Sequence, residues 1–260
     1  MTGIDDRTEA PATGRAMRLD QALAERGLVR SRAAARDAVL RGTVTVDGAA
    51  VTRPSARVRP GQAVEIADPA ARYVSRSALK LVAALDAFSI DPAGRDAVDL
   101  GASTGGFTQV LLERGARAVT AIDVGHGQLA QAIAGDPRVR AIEGLNVRDL
   151  EAAHLDAAPS LVVADLSFIS LLLALPPALA LAAPGADLVA LVKPQFEVGR
   201  EGIGKGGIVR EQALVEQSLE RVRAFVEAAG RWSVTGLIVS PIAGGDGNQE
   251  YLLAGRADGR

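Results

Sequence analysis

The sequence predicts an α/β fold: a mostly parallel sheet with an antiparallel hairpin at one edge, preceded by a small α+β module. Three observations carry that expectation. From Ala97 onward, short apolar runs alternate with segments of helical periodicity, the pattern of parallel strands covered on both faces. One of those runs passes through a glycine-rich turn, Gly101–Phe107, into a helix, as at the ligand edge of a doubly wound sheet. Residues 15–65 hold ten arginines against five acids although the whole 260-residue chain has a net charge of −2, so a basic segment precedes an acidic remainder.

Residues 1–16 lack an apolar stretch of signal-peptide type and read as a disordered lead-in. Residues 17–66 form the small module. Leu19, Ala22 and Leu23 share one face of a helix from Arg18 to Glu25, ended by Gly27. Ser31 caps a second helix that runs through Leu40 and stops at Gly42. Strands follow at Thr43–Val46 and Val64–Ile66, with turns at Asp47-Gly48 and Pro60-Gly61.

A linker at 67–74 leads to the larger domain, 75–260. Ser75 opens its first helix, with Leu79, Val82, Leu85 and Phe88 as the apolar stripe and Lys80 beside it. Strands are expected at Ala97–Leu100, Ala118–Asp123, Val139–Ile142, Leu161–Ala164 and Leu188–Val192, then an amphipathic helix over Val209–Ala229. Trp232–Val239 and Glu250–Ala254, joined by the turn-rich Ala243–Asn248, make the edge hairpin. The apolar run from Leu166 to Ala183 is broken by Pro176-Pro177 and predicts a buried helix instead of a membrane span. With no cysteine, and His126 and His154 as the only histidines, no metal site is expected. The chain reads as cytoplasmic.

The turn comprises Gly101, Ser103, Thr104, Gly105, Gly106 and Phe107, with Asp99 just before it and Asp123 ending the next strand. Glycines let a ligand approach the backbone, and the following helix N-terminus favours negative groups. A carboxylate at Asp123 suits ribose hydroxyls. A dinucleotide fingerprint, however, places glycine where Ser103 stands, and Asp99 suits an ammonium group better than a phosphate. These residues favour S-adenosyl-L-methionine over NAD; a turn that holds no ligand is the third reading.

Only three lysines, Lys80, Lys193 and Lys205, stand against twenty-six arginines. Arginine replaces lysine where charge alone is needed, but not where an amine must act as a base. Asp165 and Lys193 end the fourth and fifth predicted strands, Glu250 opens the last, and Lys80 precedes the first. Two amines and two acids therefore converge at the ligand edge. That set suits transfer to an alcohol, a weak acid that needs a base in line with the departing group. Lys193 is the expected base, with Lys80 tuning it and Asp165 and Glu250 orienting the lysines. Two salt bridges at a sheet edge is the plainer alternative.

Together these residues resemble the TlyA family of ribosomal RNA methyltransferases, also labelled hemolysin A. The larger domain is similar to FtsJ/RrmJ-type ribose 2'-O-methyltransferases. The resemblance runs from about Arg18 onward, through Arg18-Leu19-Asp20, Ser31-Arg32, Ser75–Leu81, Asp99–Phe107, Ala164–Ile169 and Val192–Glu197. It implies a Rossmann-like methyltransferase domain that uses S-adenosyl-L-methionine to 2'-O-methylate cytidine in ribosomal RNA of the small subunit and, in some members, the large. It implies a Lys-Asp-Lys-Glu tetrad at Lys80, Asp165, Lys193 and Glu250, and cofactor contacts extending to Val124, Asn146 and Val147. It also implies that 17–66 is an S-four-like RNA-binding domain, in which Arg18, Arg30, Ser31, Arg32, Arg36 and Arg41 meet RNA. Ribosomal RNA or assembled ribosomal subunits are the expected partners.

One departure is that Gln131 and Ala132 stand where relatives often carry an aromatic residue. Aromatics are scarce throughout, which argues against a stacking platform for single-stranded RNA. Two other functions compete: a catalytically silent RNA-binding ribosome-assembly factor and a membrane-lytic hemolysin. Asp99, Gly101, Asp123 and the tetrad together count against the first. The lack of a signal peptide, a span or a surface-seeking amphipathic helix counts against the second.

Overall fold

The computed structural model describes residues 15–29 and 31–259. They fall into two compact units, one ending at Ala71 and the other starting at Arg72. The expected lead-in at 1–16 lies almost wholly outside the described residues, as does Arg30.

In the first unit, β1 (Met17–Arg18) runs straight into α1 (Leu19–Glu25), and α2 (Arg32–Leu40) follows. Ser31 Oγ accepts the Ala34 amide as the N-cap of α2. Then come β2 (Val44–Val46), β3 (Ala49–Ala50), β4 (Arg57–Val58) and β5 (Val64–Ile66). β2 pairs antiparallel with β3 and β5, and β4 pairs antiparallel with β1. Sequence reading misses β1, β3 and β4 because two residues carry no alternation. Leu19, Leu23, Val39, Val44 and Val58 fill the core of this unit. Each fully buried leucine contributes about 1.5–3 kcal/mol.

The second unit is built on seven strands. They are β6 (Asp96–Leu100), β7 (Ala118–Asp123), β8 (Val139–Glu143), β9 (Leu161–Ala164), β10 (Asp187–Val192), β11 (Trp232–Val239) and β12 (Tyr251–Ala257). Their order is β11-β12-β10-β9-β6-β7-β8. β12 is antiparallel to both neighbours, and all other adjacent pairs are parallel. The expected hairpin is present, but its second strand lies inside the sheet and β11 forms the edge.

One face of the sheet is covered by α3 (Ala78–Phe88), α4 (Gly106–Glu113) and α5 (Gln131–Ala134), through Leu81, Leu85, Phe107, Leu111 and Ile133. The other is covered by α6 (Leu171–Ala174), α7 (Pro176–Leu181) and, beyond the one-turn α8 (Pro194–Glu197), α9 (Gln212–Ala228). Period-two alternation assigns each strand residue to a face. Leu161 and Val163 join the α3 side, whereas Val162 and Ala164 join the α6 side.

Two expectations change here. The helix placed from Ser75 begins at Ala78, and its buried positions are Ala78, Lys80, Leu81, Ala84 and Leu85, so Leu79, Val82 and Phe88 are not its buried stripe. Small residues at 78 and 84 let the helix lie close to the sheet. The apolar run from Leu166 divides into α6 and α7 at Pro176. Among the described residues no helix is long and apolar enough to cross a membrane.

Candidate active site

β6 delivers the chain to Gly101 at φ +83°, where a Cβ would lie 2.7 Å from the Asp165 carbonyl oxygen. Only glycine lets the ends of β6 and β9 approach this closely. Ser103 sits on left-handed backbone at φ +48°. Its amide donates to Asp123 Oδ2 at 2.8 Å and its hydroxyl to Gln128 Oε1 at 3.2 Å, while Gly125 N donates to Asp123 Oδ1 at 2.7 Å. Each Asp123 oxygen keeps a lone pair beyond these bonds, so the carboxylate is fixed in place and still able to accept. Val124 beside it is exposed. Asn146 turns its side-chain oxygen onto the Arg148 amide at 3.1 Å, and Val147 is packed into the core. The Val147 side chain is therefore unavailable to a ligand, and only its backbone can serve as the contact expected there.

Asp99 is fully buried beneath the loop. Thr108 Oγ1 donates to its Oδ2 at 2.7 Å, and its Oδ1 has no hydrogen-bond partner among the described residues. Burial pushes the carboxyl up to about 7, opposed by the Thr108 hydrogen bond and assisted by the negative charges of Asp165 and Asp123. A cavity of about 180 Å³ opens between the Gly101–Phe107 loop, Asp165, Ser167, Lys193 and two serines before α3, Ser75 and Ser77. Among the described residues no three His, Asp or Glu side chains group to hold a metal ion.

The four expected reactive residues meet at one edge and on one face. By alternation, Asp165 continues the Leu161–Val163 side of β9, and Lys193 the Val189–Leu191 side of β10. Glu250, adjoining β12, continues the Leu252–Ala254 side. Tyr251 pairs with Val192, so Glu250 and Lys193 are the next positions along that ladder. α3 covers this face and carries Lys80 into it. Lys80 Nζ bonds Glu250 Oε2 at 2.5 Å, with both side chains buried. Lys193 Nζ lies 2.7 Å from Asp165 Oδ1, at ion-pair distance without hydrogen-bond alignment, and donates to Ser167 Oγ at 2.9 Å. Lys205, by contrast, is exposed.

Sequence reading missed Ser75, Ser77, Ser167 and Phe168. Ser77 left a signal, a capping residue just before a helix, but serines are too common for that to mark a cavity wall. Phe168 is 92 % exposed on left-handed backbone, its ring 5.3 Å from that of Phe196. An aromatic surface therefore exists beside Asp165 despite the overall scarcity.

In the first unit, Arg18 Nε and Nη2 fork onto buried Asp20 at 3.0 and 2.8 Å, and Arg32 Nε approaches it at 3.4 Å. The Arg18 hydrogen bond holds Asp20 below the usual carboxylate range. Arg32 and Arg36 are exposed. Arg41 is a correction: it is half-buried and bonded to both Asp37 and Asp68, which commits its guanidinium to structure. The Ser31 hydroxyl accepts in its cap and keeps its O–H to donate.

The model of FtsJ-like methyltransferases matches residues 73–257, and that of the S4 domain matches residues 17–64. The chain is 46% identical to the 16S/23S rRNA (cytidine-2'-O)-methyltransferase TlyA of Mycobacterium tuberculosis over 92% of its own length and 89% of that protein. It is 39% identical to Hemolysin A of Brachyspira hyodysenteriae over 91% and 98% of the two chains. A solved structure from Streptococcus thermophilus, carried under a hemolysin name, is 41% identical, with a TM-score of 0.73 over 94% of this chain and 89% of that one.

Proposed function

This chain belongs to the FtsJ-like methyltransferase family, and from that premise we propose that it 2'-O-methylates cytidine in ribosomal RNA with S-adenosyl-L-methionine as methyl donor. The observation that carries the reading is the Lys193–Asp165 pair in the wall of the cavity where the glycine-rich loop opens, with the buried Lys80–Glu250 pair at the next position of the β10–β12 ladder. The cavity fits the amino-acid end of that cofactor: Ser75 and Ser77 offer hydroxyls to a carboxylate, and Asp165 offers an acceptor to an ammonium. Asp123, fixed two strands away from Asp165, suits the ribose. When bound, the cofactor supplies an activated methyl carbon.

The chain's own residues supply the proton transfer. Lys193 receives the proton of the 2'-hydroxyl as the methyl group is transferred. Asp165 and Ser167 fix its Nζ, while the Lys80–Glu250 pair sets the charge around it. Exposed Phe168 offers a face on which a base of the substrate stacks. Arg32 and Arg36 of the 17–66 domain hold RNA phosphates, which position without reading sequence. The substrate is ribosomal RNA, free or in a subunit, and the protein acts in the cytoplasm.

Transfer of labelled methyl groups to purified ribosomal subunits and to naked ribosomal RNA, followed by nucleoside identification, tests this. The expected product is 2'-O-methylcytidine. Label on a base, or none on any ribosomal substrate, rejects the reading.

A further inference from the structure

Two segments leave the carboxyl edge of the sheet side by side, Asp165–Leu171 after β9 and Lys193–Glu197 after β10. Next to the sheet, Lys193 bridges to Asp165 and Ser167. Farther out they are joined again, for Glu197 Oε2 accepts from Ser170 Oγ at 2.5 Å and Oε1 from Leu171 N at 2.8 Å. Between these crossings stands Phe168, with φ +65° and its ring against Phe196. Such backbone is strained for a bulky residue and persists only where its surroundings over-determine it.

Glu197 has no role in the tetrad, yet it is 2 % exposed. Burial pushes its carboxyl up from the usual range, against the hydrogen bonds from Ser170 and Leu171 and the more distant charge of Arg221. A carboxylate placed there at that cost needs a reason beyond packing. Its two acceptors fasten the start of α6, four residues along from Lys193, and close the frame that holds Phe168 and Ser167.

We propose that Glu197 is a positioning residue: it locks the Ser170–Leu171 end of this frame, so that Phe168 keeps its strained backbone and Ser167 keeps Lys193 aligned. The inference rests on the reading of Lys193 as the base. Glu197 reaches the reaction only through that segment, whereas most of the cavity wall, Gly101–Phe107 with Ser75 and Ser77, belongs to other elements. Its loss therefore affects turnover and spares cofactor binding.

The test compares the full chain with Glu197→Gln and with the milder Ser170→Ala, which removes the hydroxyl that donates to Glu197 and caps α6 through the Leu172 amide. Methyl transfer to ribosomal RNA, S-adenosyl-L-methionine affinity by calorimetry, and amide hydrogen exchange are measured on each. The expected result is a fall in kcat of about tenfold to a hundredfold for Glu197→Gln and a smaller fall for Ser170→Ala, with cofactor affinity unchanged. Exchange should rise across 166–171 and stay constant in β9 and β10. In a Phe168→Gly background, where the strain is gone, Glu197→Gln should cost less. Unchanged kcat in a folded variant, unchanged exchange at 166–171, or loss of cofactor affinity in step with kcat would each overturn the proposal. If the unmutated protein transfers no methyl group, the functional reading fails, while hydrogen exchange still decides whether Glu197 locks the segment.

Discussion

In the first unit Arg32 and Arg36 stand on the exposed side of α2, whereas in the second Lys80 and Lys193 are buried against carboxylates at the sheet edge. Both regions carry positive charge, but under different physical demands. An exposed guanidinium keeps its charge and its hydration, and each one is replaceable by a neighbour. A buried ammonium needs a dedicated acid, because removing charge from water costs far more than a surface position gives back. Attachment to a polyanion can therefore be spread over short helices. Proton chemistry instead requires a covered sheet that brings residues 80, 165, 193 and 250 to one edge.

The most severe way to break this contrast is Lys193→Ala. Methyl transfer should fall by about 10²–10⁴-fold while S-adenosyl-L-methionine still binds by calorimetry; normal turnover would remove Lys193 as the base. Next, Lys80→Met leaves Glu250 buried without its cation and should cost about 3–5 kcal/mol in urea unfolding. Adding Glu250→Gln should restore much of that loss. Arg36→Met in the first unit should stay within about 0.5 kcal/mol of the parent, and an equal loss at both sites would erase the distinction.

Asp99→Asn sharpens the comparison through pH. The folded protein holds the Asp99 proton up to about 7, whereas the unfolded chain releases it near 3.8. Stability should thus decline as pH rises between those values and level off above them. The Asn variant should lack that slope and gain at most about 4 kcal/mol at pH 8; parallel stability–pH curves for the two proteins would contradict the assignment. Smallest is Arg32→Ala with Arg36→Ala. RNA affinity should drop about tenfold, and the slope of log affinity against log salt should flatten by about 1.5. Titrations at several salt concentrations read both.

The parallel strands were legible because buried strands are apolar throughout, and the grouping of two lysines with two acids because lysine is so rare in this chain. The register of α3 was not. Lys80 sits on its buried side only because Glu250, 170 residues away, meets it there, and no local window contains that partner. Arg41 looked like a phosphate ligand for the same reason, since Asp68 reaches back to it from beyond β5. Ser167 and Glu197 stood within the motifs that carry the resemblance, but nothing local assigned either a role. Their significance lies in hydrogen bonds between two segments that are adjacent only after β9 and β10 pair.

β12 comes last along the sheet in sequence, yet it is wedged between β10 and β11. Until its residues emerge from the ribosome, those two strands have no ladder to share and Lys80 has no acid to greet. One late segment thus completes both the sheet and the buried Lys80–Glu250 pair.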